Sequence, residues 1–134
     1  MTPIAEAPLV PRLLHRAAIN LGRHALGTRG IGFPLMARAE FWIAYRLECD
    51  AASLLPPGSD SANAVLCRSA AILAYHAGAK EEAARLAGIG LQSWMPEEIA
   101  ESLREIQRCS APSRPTEVPT PLPTLVGAGI DSRR

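Results

Sequence analysis

The sequence predicts an all-α protein: antiparallel helical hairpins or a small helical bundle, followed by a proline-rich disordered tail. Apolar residues recur at steps of three and four along several segments, as on one face of an amphipathic helix. Aromatic residues make up only 4% of the 134-residue chain, so the core must consist mainly of leucine, isoleucine, valine and alanine. Alanine favours helix because it loses no side-chain entropy there. The length fits one domain, which we place at residues 10–109.

The first helix is predicted near residues 10–26, after a flexible segment of nine residues that contains prolines and shows no periodicity. Its apolar face consists of Leu14, Ala17, Ala18 and Leu21. The sequence GTRGIGFP follows at residues 27–34. It lacks the GxxxxGK[ST] pattern and no predicted strand precedes it, so we interpret it as a break between helices rather than a phosphate-binding loop.

The second helix, near residues 35–55, has the strongest amphipathic pattern of the chain. Its predicted inward stripe is Met36, Ala39, Ile43, Leu47, Ala51 and Leu54. Phe41, Trp42 and Tyr45 crowd the same segment. Three aromatic side chains within five residues cannot share one stripe, so some must contact either the N-terminal helix or a partner chain. Together with Trp94 they form the candidate partner surface.

Three further helices are predicted after Pro56, Pro57 and Gly58 end the second one. Residues 59–61 are good N-cap residues for a helix that runs to about residue 76. Gly78 ends that helix as a glycine at the C′ position, and the next helix starts near Lys80. Pro96 suits the first position of the last helix. Its apolar stripe is Ile99, Leu103 and Ile106.

The chain changes character over residues 110–134, where prolines are frequent among serines and threonines. This composition does not support a helix and offers little apolar surface to bury. We interpret the segment as an extended or disordered spacer. The alternative is a proline-rich recognition segment, although no PxxP motif with a flanking basic anchor stands out.

Small residues dominate the hairpin predicted around Gly78. Alanines before the turn would face Ala83, Ala87 and Gly90 after it, and their small side chains permit close antiparallel approach. With Gly78 at the turn, residues 64–97 resemble one tetratricopeptide repeat, a helical hairpin of 34 residues. The positions that carry this resemblance are Ala71, Gly78, Ala83, Gly90, Leu91 and Pro96.

The resemblance covers one repeat and has departures. The family's large first-helix residue is replaced by Cys67, its bulky second-helix residue by Ala87, and the proline arrives one residue late. No clean second copy occurs at a 34-residue offset. The resemblance implies a hairpin of about residues 60–109 that needs neighbouring helices to bury its apolar face.

Charge is distributed unevenly, although the net charge is only +1. Residues 1–46 hold six arginines and two acidic residues, a balance of +4, whereas residues 47–110 have a balance of −4. One interpretation is that the two halves neutralise each other within the fold. The other is a nucleic-acid or acidic partner. Its candidate phosphate contacts are Arg12, Arg16, Arg23 and Arg29.

The sequence contains no motif typical of an enzyme. Three cysteines, without a CxxC pair, argue against a disulfide framework and a zinc site, and favour a reduced, cytoplasmic location. Neither HExxH nor GxSxG occurs, and we see no signal peptide or membrane span. We therefore expect no cofactor and no membrane contact. The predicted function is a non-catalytic protein-protein interaction module, an adaptor or small subunit that binds another chain or its own copy. A nucleic-acid-associated helical protein is the alternative.

Overall fold

The computed structural model of the chain describes residues 4–111, and this part contains helices but no β-strand. A short 3-10 helix, Ile4–Glu6, precedes the α-helices. These are α1 (Leu9–Gly30), α2 (Pro34–Ser53), α3 (Asp60–His76), α4 (Lys80–Leu91) and α5 (Glu97–Ser110). The all-α prediction is therefore confirmed for residues 4–111. The predictions for the first three residues and for the proline-rich tail beyond residue 111 lie outside the described residues.

Consecutive helices form hairpins, since short connections reverse the chain and each helix packs against the next. α3 is the central element, because it contacts α1, α2, α4, α5 and the N-terminal 3-10 helix. α1, by contrast, packs mainly on α2 and makes few contacts with α3. None of the helices in residues 4–111 combines the length and apolar character needed to cross a membrane.

The core of residues 4–111 is built mainly from alanine, whereas the low aromatic content predicts a mixture of leucine, isoleucine, valine and alanine. Phe41, Leu66 and Leu103 are the largest apolar side chains that are fully buried. Around them lie alanines from α1 to α4 with no more than a few per cent of their surface exposed, among them Ala18, Ala44, Ala71, Ala74, Ala83 and Ala87. Small side chains let the helices approach closely, so the core holds together with few large residues.

Glycine ends two of the helices in the same way. Gly78 has a φ of 87°, and its N–H donates to the Tyr75 carbonyl at 3.0 Å while the Ala79 N–H donates to the Ala74 carbonyl at 2.9 Å. These are the two bonds of a Schellman motif. Gly32, with a φ of 99°, ends α1 through the equivalent bonds. The predicted role of Gly78 is thus confirmed.

The predicted break at residues 27–34 is too wide, because α1 continues to Gly30 and only residues 31–33 separate it from α2. A glycine inside a helix lowers the stability of the helix by only about 1 kcal/mol relative to alanine. Burial of Ala25 and Thr28 on the same helix offsets this cost, so Gly27 and Gly30 remain helical.

The predicted inward stripe of α2 is also wrong over its first half and at its last residue. Met36, Ala39, Ile43 and Leu54 are exposed, and the buried face consists of Ala37, Phe41, Ala44, Tyr45, Glu48 and Ala51. Both faces of α2 are largely apolar, so periodicity alone does not decide which one packs inward. The buried face combines alanines with Phe41, which allows α1 and α3 to pack closely against it.

Candidate functional site

The exposed face of α2 carries an apolar stripe, which we call the outer stripe: Leu35, Met36, Ala39, Trp42 and Ile43. With about 100° between successive residues, these five positions fall within an arc of about 120° opposite the buried face. Leu35 is 77% exposed, and no charged residue interrupts the stripe before Arg46. α2 is therefore apolar on two opposite faces and buries only one of them against the rest of residues 4–111.

The connection between α1 and α2 extends this apolar surface. Ile31 is 74% exposed and Phe33 is 53% exposed. Both residues precede the first turn of α2, where the outer stripe begins. Four large apolar side chains are thus exposed within six residues of sequence, at positions 31, 33, 35 and 36.

The aromatic residues predicted as a partner surface are divided between the core and the outside. Phe41 and Tyr45 are buried within the chain, and the Tyr45 hydroxyl donates to the Glu82 carboxylate on α4. Trp42 belongs to the outer stripe, with its ring centroid 5.0 Å from that of Tyr45. Trp94 is half-exposed in the connection between α4 and α5. Only the two tryptophans remain available to a partner.

A second feature, which we call the basic pocket, lies where α1 ends, α2 begins, α3 ends and α4 begins. It is a cavity of about 280 Å³. The side chains that define it are Arg29, Arg38, Phe41, Tyr75, His76 and Lys80. Pro34, at the start of α2, also lines it, so the pocket adjoins the apolar turn before the outer stripe.

Aromatic rings contact two of the three cations of the basic pocket. The Arg29 guanidinium carbon lies 5.4 Å from the centroid of the Phe41 ring, and the Lys80 ammonium lies 5.6 Å from that of Tyr75. The imidazole of His76 stacks on Phe41 at 5.0 Å. Such cation–π contacts are worth about 0.5–1 kcal/mol each at exposed sites, so they restrict the side chains without burying their charges.

The geometry also assigns the tautomer of His76. Arg29 Nη1 lies 3.3 Å from His76 Nδ1, and a guanidinium only donates hydrogen bonds. Nδ1 must therefore accept, which places the proton of the neutral ring on Nε2. Burial, and secondarily the charge of Arg29, lowers the pKa of His76, which favours this neutral form.

The arginines predicted as phosphate contacts lie in two places. Arg12, Arg16 and Arg23 line a cavity of about 380 Å³ between α1 and the N-terminal 3-10 helix. Arg12 Nε donates there to the Ala7 carbonyl at 2.9 Å. Arg29 lies instead in the basic pocket. Arg38 and Lys80, which complete that pocket, carry no sequence motif. These two residues are distant from Arg29 in the sequence or on another helix, and the packing of the helices brings all three to the same pocket.

Of the residues singled out for hairpin packing, Gly78 lies in the turn between α3 and α4, and the other four belong to these two helices. Ala71 and Ala83 are fully buried, and Leu91 is half-buried against the core. A Cβ at Gly90 would lie 2.6 Å from Cys67 Sγ and 2.8 Å from Leu103 Cδ1. A side chain at position 90 would therefore require the side chains of Cys67 and Leu103 to shift.

One buried carboxylate lies outside both features. Glu48 on α2 is fully buried, and the nearer of its carboxylate oxygens is 2.8 Å from His15 Nδ1 on α1. Burial raises the pKa of Glu48, while the hydrogen bond and charge of His15 lower it less strongly. Because the pair joins α1 to α2 inside the core, we assign it a structural role.

Residues 4–111 contain no group of three or more His, Cys, Asp or Glu side chains arranged to hold a metal ion. No protein-family model matches the chain, and searches of curated proteins and of solved structures gave no match. The outer stripe, the basic pocket and the cavity lined by Arg12, Arg16 and Arg23 are the observations from which a function can be inferred.

Proposed function

We propose that the chain is a non-catalytic protein-protein interaction module, an adaptor or small subunit, whose outer stripe binds another protein chain. The observation that carries this proposal is that α2 is apolar on two opposite faces and buries only one. Burial of a leucine, isoleucine or methionine side chain contributes about 1.5–3 kcal/mol. Isolated exposed apolar residues are ordinary, but a contiguous uncharged stripe is typical of an interaction surface.

The helix contacts support a repeat-like arrangement as the finer form of this proposal. α3 and α4 form the hairpin that resembles a tetratricopeptide repeat, and α5 packs against both of them. α1 and α2 form a neighbouring hairpin, which contacts α3 mainly through α2. In a stack of this kind each hairpin covers the apolar face of the next, and the outer faces are left for partners.

Photo-crosslinking in the native cell tests the proposal. A photoreactive amino acid in place of Met36 should give a discrete adduct, because this position lies in the outer stripe. The matched control places the same amino acid at Glu101, which is exposed on α5, and should give none. Adding Ile43→Glu should abolish the adduct from position 36. An adduct of twice the chain mass identifies a second copy as the partner.

Equal labelling at positions 36 and 101, or an adduct that persists in the Ile43→Glu variant, would contradict the proposal. The variants must first show the helical circular dichroism of the unsubstituted chain. This requirement separates loss of the interface from loss of the fold.

Association with nucleic acid is the second candidate function. The observation that favours it is that Arg12, Arg16 and Arg23 line one cavity. Affinity for a duplex or single strand should then fall steeply with salt, and Arg16→Gln should reduce the slope of log affinity against log salt by about 1. Arg46→Gln, an exposed arginine of α2 outside that cavity, is the control. Absence of binding at low salt eliminates this candidate.

A further inference from the structure

The basic pocket brings three cations together without a counter-charge from residues 4–111. Arg29, Arg38 and Lys80 all line it, and no aspartate or glutamate of this part of the chain does. Within residues 4–111, none of the three forms a salt bridge. Like charges held close together repel each other, so an arrangement without a carboxylate favours an anion from outside.

Two acidic residues of α2 and α4 pair with side chains outside the pocket, and a third does not line the pocket. Glu82 at the start of α4 accepts hydrogen bonds from Arg85 and Tyr45. Glu40 of α2 lies 2.9 Å from His24 Nδ1. The first turn of α4 also holds Glu81, which is exposed and does not line the pocket. The positive charge of the pocket is therefore not neutralised from within the described part of the chain.

The donors of the pocket approach from different helices. Arg29 comes from α1, Arg38 from α2 and Lys80 from α4, and His76 lines the pocket from α3. Arg38 extends over the turn between α3 and α4, where a Cβ at Gly78 would lie 3.3 Å from its guanidinium carbon. Donors that converge from several directions match a tetrahedral dianion better than a planar carboxylate, which a single guanidinium already satisfies.

We propose that the basic pocket binds the phosphate group of a small phosphorylated molecule through Arg29, Arg38, Lys80 and His76. A cavity of about 280 Å³ accommodates a phosphate with a small organic group attached. This site is independent of the outer stripe, since its ligand is recognised by charge and hydrogen bonding rather than by apolar contact.

The test is a titration of the full ¹⁵N-labelled chain followed by NMR at constant ionic strength. The probes are inorganic phosphate, O-phosphoserine and adenosine monophosphate, with malonate as a dianion that is not tetrahedral. We expect saturable shifts of the Gly78 and Lys80 amide signals with the phosphates in the millimolar range, and at least about tenfold weaker binding of malonate. Tighter binding of an ester than of inorganic phosphate would show that the organic group also contacts the pocket.

Variants locate the site. Arg38→Gln and Lys80→Gln should each weaken phosphate binding about tenfold, because each removes a charge-assisted hydrogen bond. Arg46→Gln is the matched control for Arg38→Gln, since it also removes one positive charge from α2 but at a position outside the pocket. Absence of saturable shifts, equal binding of malonate, or an equal loss in Arg46→Gln would overturn the proposal. Both pocket residues replaced here are at the surface, and circular dichroism verifies that each variant folds.

Discussion

Gly78 and Gly27 are in opposite conformational situations, so the same substitution should change stability in opposite directions. Gly78 has a φ of 87° and lies against Arg38, whereas a Cβ at Gly27 would meet nothing within 4 Å inside α1. We expect Gly78→Ala to lower the free energy of unfolding by about 1–2 kcal/mol. Gly27→Ala should raise it by about 0.5–1 kcal/mol. Urea denaturation measures both, and a stabilised Gly78→Ala variant would rule out the left-handed turn.

Glu48 should make stability fall as the pH rises. Burial raises its pKa in the folded chain above its ordinary value of 4.5. The folded state then binds more protons than the unfolded state between these two pKa values, so this contribution to stability is complete below about pH 4.5 and is lost as the pH rises through the folded pKa. Each pH unit between the two pKa values corresponds to about 1.4 kcal/mol.

Thermal melts of the unsubstituted chain and of Glu48→Gln across this range check the prediction. The Gln variant keeps the shape of the side chain and cannot ionise, so it isolates the carboxylate. Its melting temperature should rise relative to that of the unsubstituted chain as the pH increases from about 4 towards neutrality. A constant difference would show that Glu48 titrates alike in both states.

The orientation of α2 gives a prediction at the scale of one element. Ile43 and Ala44 are neighbours in sequence, but Ile43 is 53% exposed and Ala44 is fully buried. Ile43→Glu should leave the melting temperature nearly unchanged. Ala44→Glu should lower the free energy of unfolding by more than about 3 kcal/mol or prevent folding, because it buries an unpaired charge. Circular dichroism melts of the two variants decide between this orientation and the one that the sequence pattern predicts, which would reverse the result.

The limits of predicting this structure from the sequence are clearest in α2. The end of α3 and the start of α4 follow from local chemistry, namely the glycine at position 78, and could be predicted. The buried face of α2 could not, since both faces are apolar and the choice depends on how α1 and α3 pack against it. The basic pocket shows the same limit: its cations come from three helices, and no local pattern relates Arg29 to Lys80.

The molecule as a whole is organised around α3, and its stability should therefore vary along the chain. Opening of α1 breaks mainly its interface with α2, whereas opening of α3 breaks contacts with every other helix of residues 4–111. In stacked helical hairpins the terminal elements open at lower free energy than the central ones. We expect the central amides of α1 to exchange with solvent at a free energy at least about 1–2 kcal/mol below that of Leu73 and Ala74 in α3. Native-state hydrogen exchange by NMR, repeated at low denaturant concentrations, measures both values. Equal protection in α1 and α3 would mean that the helices unfold as one cooperative unit, which a stack held together by neighbouring contacts does not predict.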